Sequence, residues 1–261
     1  MRIFKYTIAI TVILSLIVLA CTNVQKNKPY FEHLNTFSTV YENASKSVYP
    51  NQNFIYLDRI LVATDKDENR DILPLTSASG IAVKSYKEEV YAFTAGHWCA
   101  PGEEIDQVEF LKELNPEITF EIENRVAFYG RFYKIETLNY DIKNDICVIM
   151  FKSEYSKRVK KIKIAKSYPR IGEKVYTASS PLGMFQHELR LIFEGYFAGC
   201  DMDDVYCFYT IPGINGSSGS GVLNSKGQLV SILDVSIIDF NHITGGAKIE
   251  NIREMYYLYI P

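Results

Sequence analysis

The chain has 261 residues, with 28 basic and 31 acidic side chains, 47% hydrophobic and 13% aromatic, the make-up of a globular protein rather than a disordered or fibrous one. A formal net charge of −3 excludes a nucleic-acid partner gripped through a basic face, because such binding depends on neutralising phosphates. The length allows one large domain or two small ones.

Residues 1–20, MRIFKYTIAITVILSLIVLA, carry Arg2 and Lys5 and then no charge. A cationic start, a short apolar run and a closing small residue form the layout of a secretory signal. The run falls short of the ~20 apolar residues of a comfortable membrane span. It ends in Val18-Leu-Ala-Cys21, which resembles the lipobox of bacterial lipoproteins, although Leu19 is larger than that pattern usually has. The resemblance implies that Cys21 is lipidated and becomes the new N-terminus, with the chain held at the cell envelope through its lipid. A plain signal peptide, giving a secreted protein, and an uncleaved anchor are the alternatives, and all three export the chain. Removing Arg2 and Lys5 with the leader makes the remainder more acidic.

Export puts Cys99, Cys147, Cys200 and Cys207 in an oxidising compartment. No pair has the C-x-x-C spacing of a zinc or redox site. Cys200 and Cys207 flank the acidic segment 201–206 between two strand-like runs, and a local disulfide is expected to close that loop. Cys147 lies inside the apolar run 146–151 and reads as a buried small hydrophobe.

The polar stretch 22–29 suits a tether. Phe31, Leu34, Phe37, Tyr41 and Ala44 then recur at three-to-four-residue spacing, which predicts an amphipathic helix packing outside the main fold. From residue 53 onward, short runs rich in Val, Ile, Tyr and Phe alternate with Gly, Pro, Asn and Asp, the texture of an all-β sandwich or barrel. Strands are expected at 53–64, 80–85, 89–95, 117–121, 125–133, 146–151, 174–178, 189–198, 205–211, 221–223, 229–233 and 246–249, with a short closing helix at 251–259. The expected organisation is a signal (1–20), a tether and packing helix (21–50) and one unit (51–261), with no room for an appended peptide-binding domain.

Three segments each deliver a reactive side chain to the edge of a predicted strand. Tyr91-Ala-Phe-Thr-Ala-Gly-His97 stops a β run at a histidine, Asn144-Asp145 precedes the apolar run 146–151, and the glycine-rich Pro212-Gly-Ile-Asn-Gly-Ser-Ser218-Gly-Ser-Gly-Val222 enters a hairpin. Asp141 is a rival for the acid position, but it is followed by Ile-Lys-Asn rather than by the apolar run. Ser217 and Ser220 neighbour Ser218. None of the three serines has the flanking glycines of an α/β-hydrolase elbow, and His33, His187 and His242 show no metal spacing.

In the order His, Asp, Ser, these segments resemble the chymotrypsin-like serine peptidases: Thr94-Ala-Gly-His97, Asp145-Ile-Cys-Val-Ile149 and Gly216-Ser-Ser218-Gly-Ser-Gly-Val222 match that family's three motifs. Ser79-Gly-Ile-Ala-Val83, Ser180-Pro-Leu-Gly183 and Gly245-Gly-Ala-Lys-Ile249 are fainter echoes. The texture over 53–261 is nearest to bacterial members such as the glutamyl endopeptidases and HtrA-type protease domains. The resemblance implies an all-β double barrel, the N-terminal one spanning about 51–160 and the C-terminal one about 161–261. It further implies a serine endopeptidase acting on protein or peptide as a monomer, without cofactor or metal. His97 would be the general base, Asp145 its orienting acid, Ser218 the nucleophile, and the Gly216 and Ser218 amides the oxyanion hole.

Chemistry agrees with these roles, since a serine hydroxyl needs a base to ionise and an imidazole needs a carboxylate to set its tautomer. Ser217 stands where the family usually has Asp or Asn, so activation by a freed N-terminus pairing with that acid is not expected. No cysteine lies between Cys21 and Cys99, so the family's usual upstream partner for Cys99 is missing and Cys99 is expected free or buried. The glutamyl endopeptidases carry a histidine where Leu233 stands, so their glutamate preference does not transfer. By the same resemblance Ile211, Pro212, Leu233 and Asp234 contribute to the substrate pocket, the first three favouring an apolar or small side chain. The alternative is an inactive relative serving as a membrane-tethered binding module.

Overall fold

The computed structural model describes residues 51–261 apart from 103, 187–188, 190, 202–205 and 238–239. The leader, Cys21, the tether and the packing helix expected before residue 51 lie outside the described residues. Among those described, no helix is long and apolar enough to cross a membrane.

Seven strands make the first sheet: β1 (Phe54–Thr64), β2 (Arg70–Tyr86), β3 (Glu89–Thr94), β4 (Thr119–Phe128), β5 (Arg131–Lys134), β6 (Glu136–Asp141) and β7 (Ile146–Lys152). They pair antiparallel in the order β5-β4-β1-β2-β3-β7-β6. The sheet curls until Tyr133 of β5 packs on Phe151 of β7, ring centroids 5.8 Å apart. Inside the curl Ile55, Leu57, Val90, Val126, Phe128, Ile149 and Phe151 form one core. β8 (Lys174–Ser179), β9 (Leu191–Cys200), β10 (Cys207–Tyr209), β11 (Gly221–Asn224), β12 (Leu229–Ile237) and β13 (Phe240–Gly246) close into a second barrel, filled by Val175, Tyr209, Ile211, Val222, Val230 and Leu233. Three helices complete the described chain, α1 (Gly96–Cys99), α2 (Glu104–Leu114) and α3 (Ile249–Tyr259). This is the chymotrypsin-like double barrel.

A third cluster joins the halves. Ile81, Phe93 and Val148 of the first sheet pack with Leu223 and Ile232 of the second barrel and with Ile252 and Met255 of α3. Phe93 is fully buried there, and truncating such a phenylalanine to alanine costs about 3–5 kcal/mol. The cleft between the barrels is therefore bounded by a rigid floor.

The strands differ from expectation in several places: the expected 117–121 and 125–133 are one strand, β4, followed after a turn by β5, and β12 runs four residues past 233. β2 begins ten residues before the predicted 80–85 run, because Pro74 and the charges at 70 and 71 mask it. The segment before Gly80 pairs with β1 alone, and Pro74 faces Ile60 at an irregularity of the register, a position that tolerates a missing N–H. β6 is a polar edge strand that pairs with β7 alone. The last strand is β13, whereas the expected strand 246–249 turns into α3 at Ile249.

Candidate active site

His97 lies on α1, directly after β3. Its ring is half exposed, and its Nδ1 is 2.7 Å from Asp145 Oδ2, while its backbone N–H donates to Asp145 Oδ1 at 2.5 Å. With Nδ1–H engaged by the carboxylate, the tautomer assigned by this network leaves Nε2 as the basic nitrogen. Two side-chain features let the segments approach this closely. Gly96 has no Cβ, and one would stand 2.7 Å from the Asp141 carbonyl and 2.9 Å from the Ile146 nitrogen. Asp145 itself adopts φ 46°, a left-handed conformation that aspartate tolerates better than most residues.

Asp141, the rival acid, does other work. Its carboxylate accepts the Asn144 backbone N–H at 3.1 Å and side-chain amide at 2.5 Å, and Asn144 in turn accepts from Asn251 of α3 at 2.6 Å. It braces the turn that presents Asp145.

Cys99 and Cys147 are neither free nor merely apolar: they form a disulfide. The expectation failed because the upstream partner was missing and Cys147 looked like core. The signal was present in the offsets, since each cysteine stands two residues beyond a site residue, Cys99 after His97 and Cys147 after Asp145. Bringing His97 to Asp145 brings the two sulfurs together. Cys200 and Cys207 also form a disulfide, as expected, across β9 and β10. The Cys99–Cys147 bridge closes a loop of 48 residues' separation, worth about 4 kcal/mol in the chain-entropy account. The Cys99→Ala/Cys147→Ala protein should therefore melt roughly 10 °C lower by calorimetry; an unchanged Tm would contradict a stapling role.

Arg59 supports α1 from below. Its guanidinium donates to the Trp98 carbonyl at 2.5 Å and the Ala100 carbonyl at 3.3 Å, and its Nε to Asn124 at 2.9 Å. Sequence reasoning missed it, as an arginine within a strand carries no pattern.

The segment bearing Ser218 is clamped by Ser79 of β2. The Ser79 hydroxyl donates to the Gly216 carbonyl at 2.7 Å and accepts the Ser180 N–H at 2.8 Å, while the Ser79 N–H donates to the Ser218 carbonyl at 2.9 Å. The Ser217 N–H closes a β-turn onto the Ile214 carbonyl at 2.8 Å, with Gly216 at φ 89° in its third position, where a type II turn calls for glycine. A Cβ there would meet the Ser180 carbonyl. Among the described residues the Gly216 and Ser218 N–H groups have no acceptor, so both remain available to an oxygen placed in the cleft. The Ser218 hydroxyl donates to the Asp234 backbone carbonyl at 3.3 Å.

His97 and Ser218 line a common cavity of ≈ 300 Å³ with Gly213, Ile214, Asn215, Leu233, Asp234 and Thr244. Of the four residues expected at the substrate pocket, Leu233 and Asp234 are at its wall, Leu233 with its side chain in the core of the second barrel. Ile211 is not at the wall but fully buried in the same core, because its alternation with Thr210 turns it inward, and Pro212 is not among the lining residues. The Asp234 carboxyl turns toward Asp145 and His97.

Electrostatics follow from these contacts. The hydrogen bond to Asp145 raises the His97 pKa above the ordinary imidazole value, opposed by burial and helped by the charges of Asp145 and Asp234. Burial pushes the Asp145 carboxyl up, but its hydrogen bonds with His97 and Asp234 outweigh that and leave it below the usual carboxylate range. Asp234 goes the other way, to about 8, through burial and then through its hydrogen bond with, and the charge of, Asp145. One donor atom from each of His97, Asp145 and Asp234 lies within 4.8 Å of the others. The Nδ1–Oδ2 contact at 2.7 Å is a hydrogen bond that ties Nδ1 to the carboxylate.

Residues 78–232 match the model of the family described as "Trypsin-like peptidase domain", a stretch longer than half the chain that contains His97, Asp145 and Ser218. No curated protein matches the chain.

Proposed function

The chain belongs to the family of trypsin-like peptidase domains, and from that premise we propose that it is a serine endopeptidase with Ser218 as nucleophile, His97 as general base and Asp145 as the acid that orients the imidazole. The observation that carries this reading is the paired contact of Asp145 with the His97 ring and backbone, 2.7 and 2.5 Å, in a cleft shared with Ser218. For attack, the Ser218 hydroxyl exchanges the Asp234 carbonyl for His97 Nε2, and the Oγ–carbon bond forms as the proton passes to Nε2. The charge that develops on the carbonyl oxygen is met by the Gly216 and Ser218 amides. His97 then protonates the leaving amine as the C–N bond breaks, and water repeats the sequence to free the acyl group.

The cavity beside Ser218 has Ile214, Ser217, Thr244 and Asp234 in its wall, and with the Asp234 carboxyl turned toward Asp145 and His97 it favours an uncharged side chain before the scissile bond. Two disulfides suit an exported protein, consistent with the leader and with a lipid on Cys21; mass spectrometry of the mature N-terminus reads that modification.

Profiling on a peptide library, with short esters alongside, tests the proposal. Amide cleavage is expected, with kcat/KM rising as His97 loses its proton. Because the pKa of His97 is raised, the midpoint of that limb should lie above ~6.5, the unperturbed histidine value. Cleavage of esters without amides would replace the peptidase by an acyl hydrolase, and neither by an inactive binding module.

A further inference from the structure

We propose that Asp234 is a positioning residue for this reaction: its carboxyl, packed against Asp145 behind His97, holds a proton that it donates to Asp145, and this second anchor keeps the orienting carboxylate in place. The inference rests on the serine-peptidase reading above.

Asp234 is locked in register. The backbone of its neighbour Leu233 exchanges hydrogen bonds with Ser220 and Gly219, at 2.8 and 2.7 Å. With Leu233 turned into the barrel core, strand alternation sends Asp234 to the cleft. There its backbone carbonyl accepts from Ser218, and its Oδ1 comes within 3.8 Å of His97 Nδ1. One oxygen of its carboxyl, one of Asp145 and a ring nitrogen of His97 all lie within 4.8 Å of one another. Both carboxyls are nearly out of solvent, 10% exposed for Asp234 and 7% for Asp145.

Two buried carboxyls this close disfavour being ionised together, so one of them keeps its proton. Asp145 already accepts two hydrogen bonds from His97, one at each oxygen, and is therefore the ionised member. The proton then belongs to Asp234. The titratable groups facing Asp234 are Asp145 from the turn before β7, His97 from α1 and Tyr206 from the approach to β10, with Asp201 acting on Tyr206 in turn. At neutral pH Asp234 is thus a neutral donor. Above about 8 it ionises, the two carboxylates repel, and Asp145 loses its second anchor.

The test uses the full chain and two substitutions. Asp234→Asn keeps a donor toward Asp145 but cannot ionise, whereas Asp234→Ala removes the donor. The wild type should lose kcat on the alkaline side with a midpoint near 8. Asp234→Asn should keep kcat within about threefold at pH 7 and show no alkaline limb. Asp234→Ala should lower kcat roughly 10- to 100-fold, the worth of one hydrogen bond to a charged group, with KM little changed. An alkaline limb that persists in Asp234→Asn, or a wild-type kcat in Asp234→Ala, overturns the proposal.

A second readout is independent of turnover. A carboxyl whose pKa is raised on folding contributes stability that is complete at acid pH and is lost as pH rises from about 4 to about 8. In a Ser218→Ala background, Asp234→Asn should therefore gain Tm relative to the Asp234 parent as pH goes from 5 to 9; a difference that does not vary with pH overturns the shared proton. If the wild type cleaves no peptide, the peptidase reading fails and this arm still decides the carboxyl pair.

Discussion

Ser218→Ala should lower kcat by about 10⁵- to 10⁶-fold, the range over which removal of an activated serine leaves only the contribution of binding and of the oxyanion donors. The fold should hardly notice. The hydroxyl makes one hydrogen bond, to the Asp234 carbonyl at 3.3 Å, and the half-buried site leaves water able to replace it. The Ser218 backbone stays clamped by Ser79, so Tm should move by no more than about 2 °C, the effect of under 1 kcal/mol in a domain of this size. Initial rates on a cleaved peptide, measured beside a melting curve of the same preparation, check both halves. Residual activity within tenfold of wild type would assign the nucleophile elsewhere, Ser217 and Ser220 being the nearest hydroxyls in the chain.

Asp145→Asn should cost about 10⁴-fold in kcat, for a different reason. Asparagine tolerates the left-handed backbone as aspartate does, so φ 46° poses no obstacle and the turn braced by Asp141 and Asn144 persists. The side-chain amide now directs a donor toward His97 Nδ1, which favours the tautomer with its proton on Nε2, the nitrogen required as base. The main influence raising the His97 pKa, its hydrogen bond to Asp145, also disappears. The midpoint of the acid limb should consequently fall relative to wild type, which a full pH profile reads directly. Activity near the wild-type level in this variant would contradict the assigned role of the carboxylate.

The double barrel was legible because most of its strands are buried on at least one face, so Val, Ile and Phe recur in short runs between turn residues. The exceptions have two causes. The first half of β2 and the whole of β6 are edges that pair on one side only; Arg70, Asp71 and Pro74 obscure the apolar Ile72, Leu73 and Leu75 in the one, and polar side chains fill the other. β13 gave way to a misplaced strand at 246–249 because its Asn, His, Thr and Gly carry little β pattern, while Ala247 and Ile249 are apolar for another purpose, the core beneath α3. The residues beside His97, Asp145 and Ser218 single these three out in the sequence, and the fold sets His97 against Asp145 and in one cavity with Ser218. No such neighbours mark Arg59, and the partners of Ser79 and the pairing of Cys99 with Cys147 show only once His97, Asp145 and Ser218 are brought together, since each acts across many positions of sequence. Asp234 was visible as a residue near the substrate, but only the fold turns its carboxyl away from the pocket and onto Asp145. What local sequence conveys is which segments deliver chemistry; what braces them is a matter of tertiary pairing.

The central claim is that Ser218 is an activated nucleophile, and labelling of the folded protein with a fluorophosphonate tests it most directly. Close to one equivalent of label per chain is expected, attached to Ser218 in the peptide map, absent in Ser218→Ala and slowed at acid pH as His97 becomes protonated. Folded wild-type protein that takes up no label, or takes it up at another residue, would contradict it.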